Sequence, residues 1–254
     1  MRDFEAEYGS KLSTLDDALD SIKSGDVIYT SVNAQEPVGF LERLASLSDR
    51  VDDVTIYSTG FEYPYGFLTD PAVKGHIQTH TSFVDRTMRH HHDLGVVDYV
   101  PVHLHEWFDR DDLSRDVDVF VGAVTPMDRH GYFRLGLGNG TEREVLQKAK
   151  RVILEVNPNF PSIYGFNEIH ISQVDQIYEN PRALYERPQI EPDDVSRAVG
   201  RNVASLIEDG ATLQVGVGKI TEAAVSYHAD RNDLGVHTEM ISTCLAQLAE
   251  RGVI

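Results

Sequence analysis

Two stretches of the 254-residue chain carry the residue types that acyl chemistry needs. Thr212 to Val225 reads as a strand, a glycine turn at Gly216-Val217-Gly218-Lys219, and a helix start. Glycines at such a turn let the backbone approach a ligand closely while free helix N–H groups face it, which suits a phosphate, a thioester oxygen or a carboxylate. The same glycines could simply permit a tight turn. The second stretch is Gly235-Val236-His237-Thr238-Glu239-Met240. If it is extended, Val236 and Thr238 share one face and His237 and Glu239 the other. A carboxylate at a strand end beside a glycine turn lies where α/β folds place ligands. When ionised, oriented and faced by an oxyanion site, it is a competent nucleophile toward an activated acyl group. The alternative is a solvated or salt-bridged glutamate at a strand terminus.

Seven of the eleven histidines fall between His76 and His105, including His90-His91-His92 and His103-Leu104-His105-Glu106. On a strand, His103 and His105 would share a face, so a metal site is conceivable. The spacing matches no zinc motif, and no metal is expected.

The elements that must position these residues follow an α/β pattern, with short apolar strands alternating with amphipathic helices. Helices are predicted over Leu15 to Lys23 and Thr141 to Lys150. Strands are predicted over Val27 to Val32, Val54 to Tyr57, Tyr99 to Leu104, Val117 to Val121, Arg151 to Val156, Thr212 to Val217 and Gly235 to Thr238. This describes a mostly parallel sheet with helices on both faces. Tyr178 to Asp194, with Pro181, Pro188 and Pro192, reads as a linker. Beyond it the chain repeats its opening: a helix ended by glycine and a strand that starts at once, with Gly25 aligned to Gly210. The reading is residues 1–187 as one complete domain and 188–254 as the incomplete start of a similar one.

Composition narrows the function classes. With 41 acidic against 23 basic residues the net charge is −18, which excludes the positive footprint of nucleic-acid binding. Lys occurs 6 times against 17 Arg, and Asp 24 times against 17 Glu. Such a surface suits a high-salt cytoplasm, hence a halophile, and equally an ordinary acidic cytosolic enzyme. No apolar run approaches the ~20 residues of a membrane span. The acidic N-terminus is no signal peptide, and the single cysteine, Cys244, excludes an internal disulfide, so a cytoplasmic location is expected.

The stretches Thr125 to Gly136 (TPMDRHGYFRLG), Ile153 to Asp175, Asp209 to Val225 and Asp233 to Ser242 resemble the acetyl-CoA hydrolase/transferase family, in particular 4-hydroxybutyrate and butyrate-acetate CoA-transferases. The Asn157-Pro158-Asn159 and His-Thr-Glu-Met motifs carry the resemblance most specifically. It implies a CoA-transferase-like fold and makes Glu239 the nucleophile. Attack on an acyl-CoA gives a mixed anhydride and a thiolate, the thiolate returns to form a glutamyl-CoA thioester, and a second carboxylic acid reverses the sequence. Coenzyme A is then a substrate, with no tightly bound cofactor, and the partners are an acyl-CoA and a small carboxylic acid. The resemblance places Gly216 and Gly218 beside the thioester and adds Lys219, His237 and Gln35 as substrate-binding candidates.

Three departures from the family pattern stand out. Lys219-Ile220-Thr221 replaces the usual Ile-Pro after the second glycine, which adds bulk and charge beside the expected pocket. Ser242-Thr243-Cys244 replaces Ser-Asp-Gly. The family's Gly-Gly-Gln-Val-Asp-Phe-like motif is not found, so a partner chain supplying the rest of the second domain, or a homo-oligomer, is expected. An acyl-CoA hydrolase and an inactive subunit are the alternative readings.

Overall fold

A computed structural model of the chain describes residues 3–106, 117–188 and 191–254. Residues 1–186 and 187–254 form two separate compact units.

The first unit is built on seven parallel strands in the order β4-β3-β2-β1-β5-β7-β9. They are β1 (Val27–Thr30), β2 (Val54–Ser58), β3 (Ile77–Thr81), β4 (Val97–Tyr99), β5 (Val119–Val124), β7 (Arg151–Val156) and β9 (Gln176–Glu179). A short antiparallel pair, β6 (Tyr132–Arg134) and β8 (Glu168–His170), stands apart from this sheet. The helices are α1 (Phe4–Lys11), α2 (Leu15–Asp20), α3 (Val38–Leu44), α4 (Gly66–Thr69), α5 (Arg86–His91) and α6 (Glu142–Lys148).

Period-two alternation along strands buried on both sides feeds two cores. Ile28, Val54, Ile56, Ile77, Val119, Val121 and Ile153 pack with residues of α2 to α5 on one face. Tyr29, Tyr57, Phe120, Val124, Val152, Leu154 and Ile177 pack with Phe133, Val145 and Ile169 on the other. The strand order reverses between β1 and β5, and the loops that follow these two strands therefore diverge there. Such a crevice, outside the carboxyl ends of the strands, is where sheets of this kind bind ligands.

The second unit holds α7 (Asp194–Ala204), β10 (Thr212–Leu213), α8 (Lys219–Ser226), β11 (Gly235–Val236) and α9 (Thr243–Glu250), with β10 and β11 parallel. Its punctuation repeats that of the first. Gly25 and Gly210 both adopt positive φ, +79° and +76°, and so do Asp53 and Asp233, +58° and +56°. Gly25 N–H donates to Asp52 O, and Gly210 N–H to Asn232 O. Val54 N–H donates to His76 O where Leu234 N–H donates to Val253 O. Matching left-handed residues at matching rungs explain why the two segments read alike in sequence.

Within this unit Gly200 lets α7 lie against α8: a Cβ there would meet Ala223 C and Ala224 N at 2.9 Å. Gly200→Val is expected to force the helices apart and destabilise the unit by about 1–3 kcal/mol, the usual cost of overpacking. Chemical denaturation followed by circular dichroism checks this.

Several boundaries differ from the sequence reading. The helix predicted to Lys23 ends at Asp20. Its start is fixed by a reciprocal box in which Thr14 Oγ accepts from Asp17 N–H and the Asp17 carboxylate accepts from Thr14 N–H. The second predicted helix spans Glu142–Lys148. The strand predicted over Tyr99 to Leu104 is corrected: β4 ends at Tyr99, and the ladder closes with Val100 N–H donating to Thr81 O. Pro101 then offers no donor to continue it. His103 and His105 consequently do not share a strand. Their exposed rings stack 5.6 Å apart around a 3₁₀ turn, Leu104–Glu106. Among the described residues no three His, Cys, Asp or Glu side chains gather as metal ligands, and no helix is long and apolar enough to cross a membrane. The side chains of His90 and His92 lie outside the described residues.

Candidate active site

Glu239 sits at an exposed bend just past β11. The regular strand stops at Val236, short of the predicted Thr238, yet the pairing with the neighbouring segment continues. His237 N–H donates to Leu213 O, and the Thr238 hydroxyl both accepts from Val215 N–H at 3.0 Å and donates to Val215 O at 2.9 Å. A side chain thus completes the rung that backbone would otherwise make. Thr238 and Val215 are locked together, and Glu239 and Gly216 are the next residues along the two segments. This ties the segment that carries Glu239 to the one that leads into the glycine turn, as their separate positions in the sequence do not reveal.

The turn itself is open. Gly216 has no atom within 4 Å of where a Cβ would stand, and Gly218, the residue ahead of α8, has φ +137°, which strains any L side chain. No side chain caps α8, so its first N–H groups are left to solvent or a ligand. Lys219 opens this helix, but its ammonium is paired with Asp193. Asp193 in turn caps α7 by accepting from Ser196 N–H and Oγ–H, and the Lys219 ammonium, followed by these two donors, holds its carboxyl well below the usual range. In this structure, then, the charge of Lys219 is neutralised locally. His237 is exposed.

Gln35 lies in the first unit, at the β1/β5 switch point, fully buried in the 3₁₀ turn Asn33–Gln35. Its amide donates to Ala123 O and accepts from Leu137 N–H, while Ser31 Oγ–H donates to Gln35 O and accepts from Ala123 N–H. Both ends of the amide are engaged by backbone, so Gln35 fixes the diverging loops.

The sequence reading missed two buried carboxyls beside it. Glu155, within the apolar run of β7, accepts from Tyr178 O–H at 2.6 Å, Gly39 N–H at 2.8 Å and Asn180 Nδ2–H at 3.1 Å. Burial nonetheless raises its pKa. A glutamate inside Val152-Ile153-Leu154-Glu155-Val156 was the available signal, because such strands rarely bury an unpaired charge. Glu36, 2% exposed, accepts from Glu62 N–H at 2.8 Å. Burial pushes its carboxyl up to about 8. The Asn157-Pro158-Asn159 motif proves to be a clamp. Asn157 and Asn159 both donate to Arg182 O, at 3.0 and 2.8 Å, and pin the chain leaving β9.

Glu36 gives stability a defined pH dependence. Between the ordinary carboxyl value of 4.5 and about 8, the unfolded chain has released this proton while the folded chain retains it. The stabilisation is therefore complete below pH 4.5 and is lost as pH rises through 8, at about 1.4 kcal/mol per unit. Glu36→Gln, which cannot titrate, is expected to flatten this component in urea melts at pH 5, 6.5 and 8. An unchanged slope would show that the folded state ionises Glu36 as readily as the unfolded one.

A parallel sheet reversing between β1 and β5, followed by a unit that repeats its punctuation, defines the class of fold. The chain belongs to the acetyl-CoA hydrolase/transferase N-terminal domain family, whose model matches residues 1–186. It is similar to the succinyl-CoA:cyclohexane-1-carboxylate CoA transferase of Geobacter metallireducens, 35% identical, with 100% of this chain and 57% of that protein aligned. It is also similar to the 4-hydroxybutyrate coenzyme A transferase of Clostridium kluyveri, 33% identical over 99% of this chain and 59% of that protein. The crystal structure of RipA from Yersinia pestis superposes with a TM-score of 0.92 at 34% identity, covering 100% of this chain and 61% of that one. The chain thus spans less than two thirds of the length of these relatives.

Proposed function

We propose that the chain is the nucleophile-bearing part of an acyl-CoA:carboxylate CoA-transferase. The observation that supports this reading is the Thr238–Val215 rung, after which the chain runs on one side to Glu239 and on the other to the open Gly216-Val217-Gly218 turn. The similarity to CoA-transferases over essentially the whole chain supports it.

The chemistry follows from the residues. The Glu239 carboxylate attacks the thioester carbonyl, the C–S bond breaks, and a mixed anhydride and CoA thiolate form. The thiolate then attacks the Glu239 side of the anhydride, releasing the first carboxylate and leaving a glutamyl-CoA thioester. An incoming carboxylate attacks this thioester, and the steps reverse to give the new acyl-CoA. The N–H groups at the start of α8 are suited to the oxyanion of each tetrahedral intermediate. Water must be excluded, since its attack on the anhydride or thioester converts transfer into hydrolysis. Covering the open turn is a role suited to the polypeptide that the relatives carry beyond the aligned region. The setting is cytoplasmic, and the Asp-rich, Lys-poor surface fits a high-salt interior.

The test supplies acetyl-CoA and butyrate to the chain together with the second half of a full-length relative. Butyryl-CoA formed in proportion to acetyl-CoA consumed supports transfer. Acetate and free CoA released at the same rate without butyrate identify a hydrolase instead, the activity named for a Yarrowia lipolytica relative 24% identical over 62% of the chain.

A further inference from the structure

The first unit holds a cavity that the proposed reaction does not use. It lies outside the carboxyl ends of β5, β7 and β9, toward the β9 edge of the sheet, with α1 forming one side. Its volume of about 410 Å³ falls within the ~300–1,000 Å³ typical of small-molecule sites. The walls are mostly apolar: Pro126 and Met127 follow β5, Pro158 follows β7 and Pro181 follows β9. A proline has no backbone N–H, so at these positions the walls offer a ligand no main-chain donor.

The polar side chains that line it are Glu5 and Tyr8 of α1 and Glu179 at the end of β9. Tyr8 O–H donates to Glu179 Oε1 at 2.7 Å, and the Tyr8 ring stacks on Phe133 with centroids 6.1 Å apart, so ring and carboxylate are held in place. Burial, with Glu179 beside it, raises the pKa of this phenol, which therefore stays a donor to the carboxylate. Neither Glu5 nor Glu179 has an ion-pair partner among the described residues, and no Lys, Arg or His is among those described residues that line the cavity. A carboxylate or phosphate ligand would meet two like charges here and no positive group. A cation on an apolar body meets the opposite: acceptors for its N–H groups, an aromatic ring that attracts its charge, and apolar walls for the rest.

We propose that this cavity binds a small organic ammonium ion, with Glu5, Glu179 and the Tyr8 ring taking its nitrogen and Met127 and the three prolines its apolar body. A primary ammonium carries three N–H donors and no acceptor, and carboxylate oxygens are acceptors only, so the polar ends match without a bridging group. The acyl-CoA and carboxylic acid of the proposed reaction are anions, which this site disfavours, so the site does not depend on the transferase reading. Occupancy has a structural consequence. No residue of α1 is fully buried, yet α1 supplies two of the three polar side chains. A bound cation therefore ties α1 to the end of β9 and stabilises the unit by mass action.

The test is calorimetric titration of the full chain with phenethylammonium, and with phenethyl alcohol and hydrocinnamate as neutral and anionic counterparts of similar shape. The ammonium is expected to bind at least tenfold more tightly than either counterpart and to slow amide hydrogen exchange in α1. Glu179→Gln removes the charge but keeps an acceptor for Tyr8, and is expected to weaken ammonium binding at least tenfold. Met127→Trp fills the cavity and is expected to abolish binding. Should Glu179→Gln not fold, Glu5→Gln on the exposed first turn of α1 decides, with at least threefold weaker binding expected. Equal affinity for the ammonium and the alcohol overturns the proposal. So does undiminished binding by Glu179→Gln or Met127→Trp, which would show only diffuse attraction to a chain of net charge −18. Glu239→Gln is expected to bind phenethylammonium like the wild type, so failure of this site and failure of the transferase reading are told apart.

Discussion

Glu239→Gln is expected to lower the rate of CoA transfer at least about 10³-fold, or ~4 kcal/mol of barrier, while changing KM less than about threefold. The amide keeps the size and hydrogen-bonding reach of the side chain but cannot form the anhydride, so binding survives and the covalent relay does not. The assay is acetyl-CoA to butyrate exchange, run with the second half of a full-length relative present. Glu239→Asp serves as the control for position: its carboxylate is withdrawn by one methylene and is expected to retain a measurable fraction of the rate. A Glu239→Gln variant within tenfold of wild type would remove Glu239 from the reaction. The exposed bend after β11 makes this a clean substitution, since the locking contacts belong to Thr238 and the backbone.

Glu155→Ala is expected to cost about 3–6 kcal/mol of folding stability. Three donors, Tyr178 O–H, Asn180 Nδ2–H and Gly39 N–H, would lose their common acceptor. Each buried donor left unmatched costs roughly 1–3 kcal/mol. The site has no room to adapt: a Cβ on Gly39 would stand 2.7 Å from Asn180 Nδ2 and 3.0 Å from Glu155 Oε2. Glu155→Gln is expected to cost less, because it keeps one acceptor oxygen in place. Urea melts of the two variants check the order. A Glu155→Ala loss under 1 kcal/mol would mean that water reaches these donors.

The sheet was largely legible in the residues. β1, β2, β5 and β7 are apolar runs bounded by Gly, Asp or charged residues, and helices such as α6 show their spacing directly. Strands β3, β6, β8 and β9 were not. Ile77-Gln78-Thr79-His80-Thr81 places polar side chains on both faces, and Gln176–Glu179 sits where prolines ahead suggest a linker. Their strand character comes from register with a neighbour, as in Val54↔Ile77 and Ile153↔Gln176, which local pattern does not encode.

The candidate site divides in the same way. The glycine turn and the His-Thr-Glu-Met stretch were visible because both are local. The tie between the segments that carry them was not, because it depends on one long-range pair, Thr238 with Val215. Gln35 was singled out through the family resemblance, and only the structure shows both ends of its amide committed to backbone. Glu36, its neighbour, carries the perturbed carboxyl, a property set by burial under the loop after β2 that no spacing in the sequence records.

The measurement that bears most directly on the central claim is the mass of the Glu239 peptide after incubation with acyl-CoA and the completing polypeptide, quenched before acceptor is added. The account predicts a CoA-sized adduct on the peptide containing Glu239, lost when butyrate is supplied and absent from Glu239→Gln. Transfer that proceeds at full rate with that peptide unmodified throughout, or an adduct on another carboxylate, would contradict it.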